Sequence, residues 1–343
     1  MRRFVIIISA FGIISLSLAI GIMAVKASGD FLSVGSSIFN RNLAPAVAGV
    51  FAEQPGYPFI IESRATVSDF VPIMKVGSMG TAVPNAHAAI LIDAASGKTL
   101  YEKNADDERQ IASLTKLFTT MITVEMVKNL DEAVTIPEEA VYAEGTRVGC
   151  PRSGYCVGER LHVGEQISVM SLLHAALMNS ANDAAISLAV HIDGSQDAFV
   201  RRMNTRAKEL GLEHTHFCTP SGLEIDGHES ECYSSARDIA KIAAYELRYK
   251  LLWNIMRSPN MTISSTDGKY HHDIFNTDEI LDSYPNLIGT KTGFTPNAGK
   301  SLLAVASDPS GKHDLVAVAL DDEARWQDVP AMLRWGFNSF SWQ

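Results

Sequence analysis

Strand-type sequence lies near both ends of residues 85–343, with helical patterning between, and this arrangement limits the fold more than any other feature. Ala88 to Asp93 is apolar, Ser96-Gly97 marks a turn, and Lys98 to Glu102 can return antiparallel. Near the other end, Ser301 to Ser307 and Asp314 to Leu320 form a second hairpin through Asp308-Pro309-Ser310-Gly311. Between them, Ser168 can cap a helix carrying Met170, Leu172, Leu173 and Leu177, which breaks at Met178-Asn179 before a second helix to about His191. Ser195 caps another that stops at Gly211, and Ser235-x-x-Asp238 precedes an Ala-rich helix to about Tyr249. A last helix is expected from about Asp328 to Phe337. The pattern predicts an α+β domain whose mostly antiparallel sheet is closed by first and last elements, with the helical region inserted.

The remaining sequence sets the domain in context. The 343 residues are 46% hydrophobic, enough for a real core, and the formal charge of −10 with no basic patch excludes a nucleic-acid surface. Arg2 and Arg3 precede an uncharged apolar run, Phe4 to Val25, whose length of about 33 Å as a helix matches a bilayer core. That length favours an uncleaved anchor (residues 1–27) over a signal peptide cut near Val25-Lys26-Ala27, and the arginines would keep the N-terminus inside. Residues 28–84, rich in Pro and Gly and without a sustained period, read as a linker or stalk. There is no internal repeat.

Cys150, Cys156, Cys218 and Cys232 fall in two local pairs in loop-like sequence. In an exported chain this suggests Cys150–Cys156 and Cys218–Cys232 bridges, although three connectivities are formally open. The alternatives are reduced thiols, or a zinc site using His214, His216 and Cys218, whose spacing is not that of a zinc ribbon. His271-His272 reads as a solvated loop pair, and Trp326 and Trp335 read as packing residues.

The chemistry centres on Ser113 and Lys116, three apart at the start of an apolar helical run through Leu117, Phe118, Met121, Ile122 and Val124. At that spacing the Lys116 amine lies beside the Ser113 hydroxyl, and a lysine held among apolar neighbours can be neutral and act as its base. A serine at the first turn also offers its own N–H to an oxyanion. Ser180-Ala181-Asn182 follows, and then Lys291-Thr292-Gly293.

S-x-x-K, S-x-N and K-T-G in that order are the signatures of penicillin-binding proteins and serine β-lactamases. From about Asn85 onward the chain resembles the serine-type D-Ala-D-Ala carboxypeptidases, low-molecular-mass penicillin-binding proteins of the peptidase S11 family. The resemblance extends to L-Y-E-K-N at Leu100 to Asn104, M-N-x-x-A-K-x-L-G at Met203 to Gly211 and S-G-L-E-x-D-G-H at Ser221 to His228. It continues in Y-S-S-A-R-D at Tyr233 to Asp238 and in the run from Tyr284 through K-T-G. It implies a β-lactamase/DD-peptidase-like fold and removal of the terminal D-Ala from peptidoglycan stem peptides. Ser113 would be the nucleophile, Lys116 its base and Ser180 a proton relay. Asn182, Lys291, Thr292 and Gly293 would bind substrate, and the N–H groups of Ser113 and Phe294 would hold the oxyanion. β-Lactams would be covalent inhibitors, and neither metal nor cofactor is implied.

The cysteine-bearing loop and Glu229-Ser230-Glu231-Cys232 depart from the family pattern, and the chain stops where the catalytic domain stops, so an N-terminal anchor would replace the C-terminal attachment of many relatives. The catalytic domain is therefore expected outside the cytoplasmic membrane, or secreted if the signal is cleaved. Alternative readings are a D,D-endopeptidase acting on cross-links, a class A-like β-lactamase and a wall-binding protein without turnover. The second lacks its deacylating E-x-x-L-N motif between Ser180 and Lys291; the nearest sequence, from Glu209 to Glu213, does not fit.

Overall fold

The structure, a computed structural model, describes residues 70–81, 85–151, 155–228 and 230–343. The apolar run from Phe4 to Val25 and most of the expected linker lie outside the described residues. Among those described, no helix is long and apolar enough to cross a membrane.

The first half runs β1 (Pro72–Met74), β2 (Ala88–Asp93), β3 (Thr99–Lys103), a 3-10 turn (Ala112–Leu114), α1 (Thr115–Met126), β4 (Ala133–Thr135), α2 (Glu138–Val141) and β5 (Gln166–Ser168). Five helices follow: α3 (Val169–Met178), α4 (Asn182–Asp193), α5 (Gln196–Glu209), α6 (Ala236–Glu246) and α7 (Lys250–Met256). The chain ends with β6 (Met261–Ser264), β7 (His271–Ile274), β8 (Leu287–Thr295), β9 (Gly299–Ser307), β10 (Asp314–Leu320), α8 (Arg325–Ser339) and β11 (Phe340–Trp342).

The main sheet is antiparallel throughout, in the order β3-β2-β10-β9-β8. Its first and last elements meet where β2 pairs with β10, as expected, and the helices α2 to α7 leave as an insertion between β3 and β8. Both faces are covered, so the strands are apolar on both sides instead of alternating with polar residues. Ile90, Leu303, Val305, Val316 and Val318 join the core under the inserted helices, while Leu91, Leu302, Leu315 and Ala317 pack on Val329, Met332 and Leu333 of α8. The period of two thus divides one sheet between two cores.

Local signals account for most helix starts. The Ser168, Ser195 and Ser235 hydroxyls accept from the N–H groups of Ser171, Ala198 and Asp238, each closing a first turn. Gly194 and Gly211 lie in the left-handed region just beyond α4 and α5. Trp335 packs edge-on against Tyr101 and Phe340, in agreement with a packing role.

Two short pairings lie in sequence without a clear period: β1, within the stretch read as linker, pairs with β11, and β4 pairs with β5. One expectation is corrected: His271-His272 is not a solvated loop pair. Both residues lie in β7, which pairs with β6, and alternation buries His272 completely while exposing His271.

His272 sits 2.7 Å from the buried Glu165 carboxylate and 3.1 Å from the Glu159 carbonyl. Burial pushes its proton affinity down, but these two acceptors outweigh it and leave the imidazole above its ordinary value. A raised folded value means that the pair stabilises fully below the unfolded histidine value of about 6.5 and loses this as pH rises through the folded value. We expect His272→Gln to lower the unfolding free energy by about 3 kcal/mol at pH 6, and by less at pH 9, in urea titrations. Equal differences at the two pH values would mean that His272 carries no proton in the fold.

Candidate active site

The serine sits in a turn that two glycines make possible. Ser113 occupies the 3-10 turn leading into α1, and Ala112 before it adopts φ of 48°, a left-handed conformation costing an alanine about 1–2 kcal/mol. A Cβ on Gly222 would stand 1.9 Å from the Ala112 carbonyl oxygen, and one on Gly293 would stand 2.8 Å from that of Ile111. Only residues without a side chain let these segments close on the turn from two sides. At Gly293, on β8, the space that a side chain would need is thus taken by the Ile111 carbonyl.

Lys116 is fully buried, and its Nζ lies 2.7 Å from each of three oxygens: Ser113 Oγ, Asn182 Oδ1 and the Ser221 carbonyl. The Asn182 amide is oriented because its Nδ2 donates to the Glu144 carbonyl at 2.8 Å. Burial drives Lys116 well below the usual lysine range; the charge on Lys291 acts in the same direction and Asp183 opposes it. A neutral amine has two N–H bonds and one lone pair. Asn182 Oδ1 and the Ser221 carbonyl can only accept, so they use both N–H bonds and leave the lone pair facing the Ser113 hydroxyl. That is the geometry of a general base, one proton from its target.

The second motif stands in the break between α3 and α4. Ser180 has φ of 57° and is buried, and its carbonyl accepts from Thr146 Oγ1 at 2.7 Å. The Asn182 N–H returns a bond to the Thr146 carbonyl at 2.8 Å. Asp183 accepts the Val148 N–H, so residues 144–148 are strapped to the start of α4. Burial pushes the Asp183 carboxyl up to about 6, against the backbone N–H groups that favour its charge.

Lys291 enters from β8, fully buried, and donates to Ser180 Oγ at 2.9 Å. Burial lowers it to about 7. Because Lys291 uses a lone pair of the Ser180 oxygen, the Ser180 proton is free to point elsewhere. Thr292 is half-buried, with its hydroxyl 3.1 Å from that of Thr277, and Phe294 is exposed. Hydrogen bonds thus join Ser113, Lys116 and Asn182 in one set and Ser180 and Lys291 in another, and Thr146 ties the Ser180 and Asn182 backbones together.

The cysteines are paired as Cys150–Cys156 and Cys218–Cys232, which removes Cys218 as a ligand beside His214 and His216. Motif reading missed Ser221, Gly222, Glu144 and Asp183. Ser221 and Glu144 act through backbone carbonyls, which no residue type announces. Ser221-Gly222 had a signal in the S-G-L-E match, but nothing in it pointed to Lys116.

A five-stranded antiparallel sheet, inserted helices and a half-buried serine on a buried lysine at their junction define the fold class of DD-peptidases and penicillin-binding proteins. Residues 78–324 match the family described as D-alanyl-D-alanine carboxypeptidase, peptidase S11, and the chain belongs to that family. It is 32% identical over 263 residues to D-alanyl-D-alanine carboxypeptidase DacF of Bacillus subtilis, covering 74% of this chain but 63% of the relative. It is also 32% identical over 279 residues to a D-alanyl-D-alanine endopeptidase of Pseudomonas aeruginosa, covering 81% of this chain and 85% of the relative. The chain therefore spans less than two thirds of the Bacillus protein. Penicillin-binding protein D2 from Listeria monocytogenes, solved in its ampicillin-bound form, superposes with a TM-score of 0.60 at 28% identity, over 76% of this chain and all of that one.

The contact at Gly293 gives a test that needs no substrate. Gly293→Ala should displace the Ile111 carbonyl and destabilise the ligand-free protein by about 1–3 kcal/mol, lowering its melting temperature by several degrees. An unchanged melting temperature would show that the serine turn yields freely.

Proposed function

We propose that this protein is a serine D,D-peptidase that removes the terminal D-Ala from peptidoglycan pentapeptides through an acyl-serine intermediate. The observation that carries the reading is the Lys116 amine, 2.7 Å from Ser113 Oγ with both its N–H directions taken by acceptor-only oxygens. Lys116 takes the hydroxyl proton as Ser113 Oγ attacks the carbonyl of the penultimate D-Ala. The N–H groups of Ser113 and Phe294 hold the oxyanion, each such donor contributing about 3–4 kcal/mol. The proton passes through Ser180 to the departing amine, and Asn182 orients the substrate amide. Protonated Lys291, with Thr292, binds the terminal carboxylate, while Gly293 leaves room for the serine turn. Water then hydrolyses the ester.

Cleavage of cross-linked peptides is the second reading, favoured by one observation: the endopeptidase of Pseudomonas aeruginosa is matched over 85% of its length. Chromatography of digested muropeptides separates the two. Free D-Ala from pentapeptides marks the carboxypeptidase, and loss of cross-linked dimers marks the endopeptidase.

A fluorescent penicillin should label the protein covalently, because the antibiotic offers a strained amide and a carboxylate to the same groups. Ser113→Ala should abolish labelling with the fold retained, and stoichiometric labelling of that variant would remove Ser113 as nucleophile. The adduct should be long-lived, since no deacylating E-x-x-L-N glutamate follows Ser180; rapid nitrocefin turnover would contradict this.

The two lysines predict the pH profile. Acylation needs neutral Lys116, so kcat/KM should fall as pH drops through its lowered value. Carboxylate binding needs charged Lys291, so kcat/KM should also fall as pH rises past about 7, the value to which burial brings that group. Lys291→Arg, which stays charged, should remove the alkaline limb. Lys291→Ala should cost roughly one to two decades on carboxylate substrates and less on esters. Equal loss on both would point to structural damage.

For location we propose an anchor at Phe4 to Val25 and an extracytoplasmic domain. The protein should then stay in the membrane pellet through high-salt and alkaline washes and be open to protease on spheroplasts. Recovery of a soluble chain beginning at Ser28 would replace the anchor with a cleaved signal peptide.

A further inference from the structure

The segment from Cys218 to Gly222 reaches the Ser-Lys pair twice. The Ser221 carbonyl accepts from Lys116 at 2.7 Å, and Gly222 lies against the Ala112 carbonyl, directly before Ser113. Cys218, three residues before Ser221, is bridged to Cys232. Between the two cysteines the described residues contain no helix or strand. Outside the bridge, His216 and Tyr233 exchange backbone bonds of 2.8 and 2.9 Å. Within it, the loop is held by the Thr119 hydroxyl on the Pro220 carbonyl at 2.6 Å and by Asn297 on the Glu224 carboxylate at 3.0 and 3.3 Å. An irregular loop closed by a covalent bond has far fewer conformations than the same loop held by a few hydrogen bonds.

We propose that the Cys218–Cys232 disulfide is a positioning element of the reaction: by closing this loop it keeps the Ser221 carbonyl on Lys116 and Gly222 on the serine turn, so that full acylation requires the pair to be oxidised. The inference rests on the acyl-serine reading above. Both cysteines are half-buried and line an open groove with Gln110, His216 and Tyr233, within reach of a small dithiol. Reduction transfers two electrons and two protons from the dithiol; the S–S bond breaks, two thiols form, and the reagent closes its own disulfide. Reoxidation by exchange with a disulfide donor reverses each step. Loosening the loop lets water reach Lys116, whose lowered proton affinity comes chiefly from its burial.

The test uses a Cys150→Ser, Cys156→Ser double variant, so that one bridge remains, and measures the acylation rate with fluorescent penicillin across pH. The oxidised, dithiothreitol-reduced and reoxidised forms are compared with a variant that also carries Cys218→Ser and Cys232→Ser. We expect reduction to slow acylation at pH 7 about tenfold or more, a loss on the scale of ångström-level misplacement. Reoxidation should restore the rate, and the acid limb should move to higher pH in the reduced form as the Lys116 ammonium regains water. Equal rates in the oxidised and reduced forms would overturn the proposal. So would a smaller labelled fraction with an unmoved acid limb, which signals partial unfolding instead of misplacement. If the oxidised protein does not label Ser113 at all, the acyl-serine reading fails instead. Should the double variant not fold, the natural chain can be reduced stepwise and its free thiols mapped by alkylation and mass spectrometry against the same rates.

Discussion

A buried lysine amine held between two oxygens that can only accept is the interaction on which the rest of the structure depends. One oxygen, Asn182 Oδ1, arrives from the start of α4; the other, the Ser221 carbonyl, comes from the loop before α6. Neither would direct the lone pair alone, because an amine with a free N–H can turn. The inserted helices serve this geometry by bringing the start of α4 and the Ser221 loop to the same amine at the start of α1. The Glu144 carbonyl then fixes the Asn182 amide, so even the orientation of the acceptor is settled before substrate arrives.

The second buried lysine makes the first more useful. Each loses solvation in the same interior, and the charge on Lys291 further disfavours a charge on Lys116. Asp183 works against this, but its own burial and its bonds to the Val148 and Ala184 N–H groups engage its carboxylate in holding the strap at residues 144–148. Burying polar and ionisable groups without full pairing is costly. The sheet can sustain it because it is apolar on both faces, with one core beneath α8 and another beneath the inserted helices.

Much of this was legible in the sequence wherever a side chain carries the signal. The apolar runs of β2 and β10, the serine caps at Ser168, Ser195 and Ser235, and the Ser113-Lys116 spacing all act through residue type, and all appear where the pattern placed them. What escaped acts through backbone or through distant partners. The Ser221 carbonyl could belong to any residue, and Gly222 reveals its purpose only when Ala112 is found beside it. His272 looked like a loop residue because its partner Glu165 lies 107 positions away, in a stretch whose charges hide the pairing of β4 with β5. Three-residue strands such as β4 and β5 are too short for a period to register.

The position of β8 at the sheet edge ties the fold to the proposed chemistry. A nine-residue edge strand offers unpaired backbone groups to any passing chain, a hazard proteins usually cover. Here the cover is divided. At Gly289 the Trp253 ring of α7 closes on the strand so tightly that a Cβ would stand 3.0 Å away, and at Gly293 the serine turn itself takes the space. The exposed Phe294 follows immediately, beside Lys291 and Thr292. Under the proposed reading, a peptide adding to this edge meets a buried cation for its carboxylate and the Ser113 hydroxyl in one short stretch of strand. The same glycine that admits the serine turn to β8 thus also brings the nucleophile to the place where an added strand would lie, so binding register and reaction geometry are set by one backbone contact.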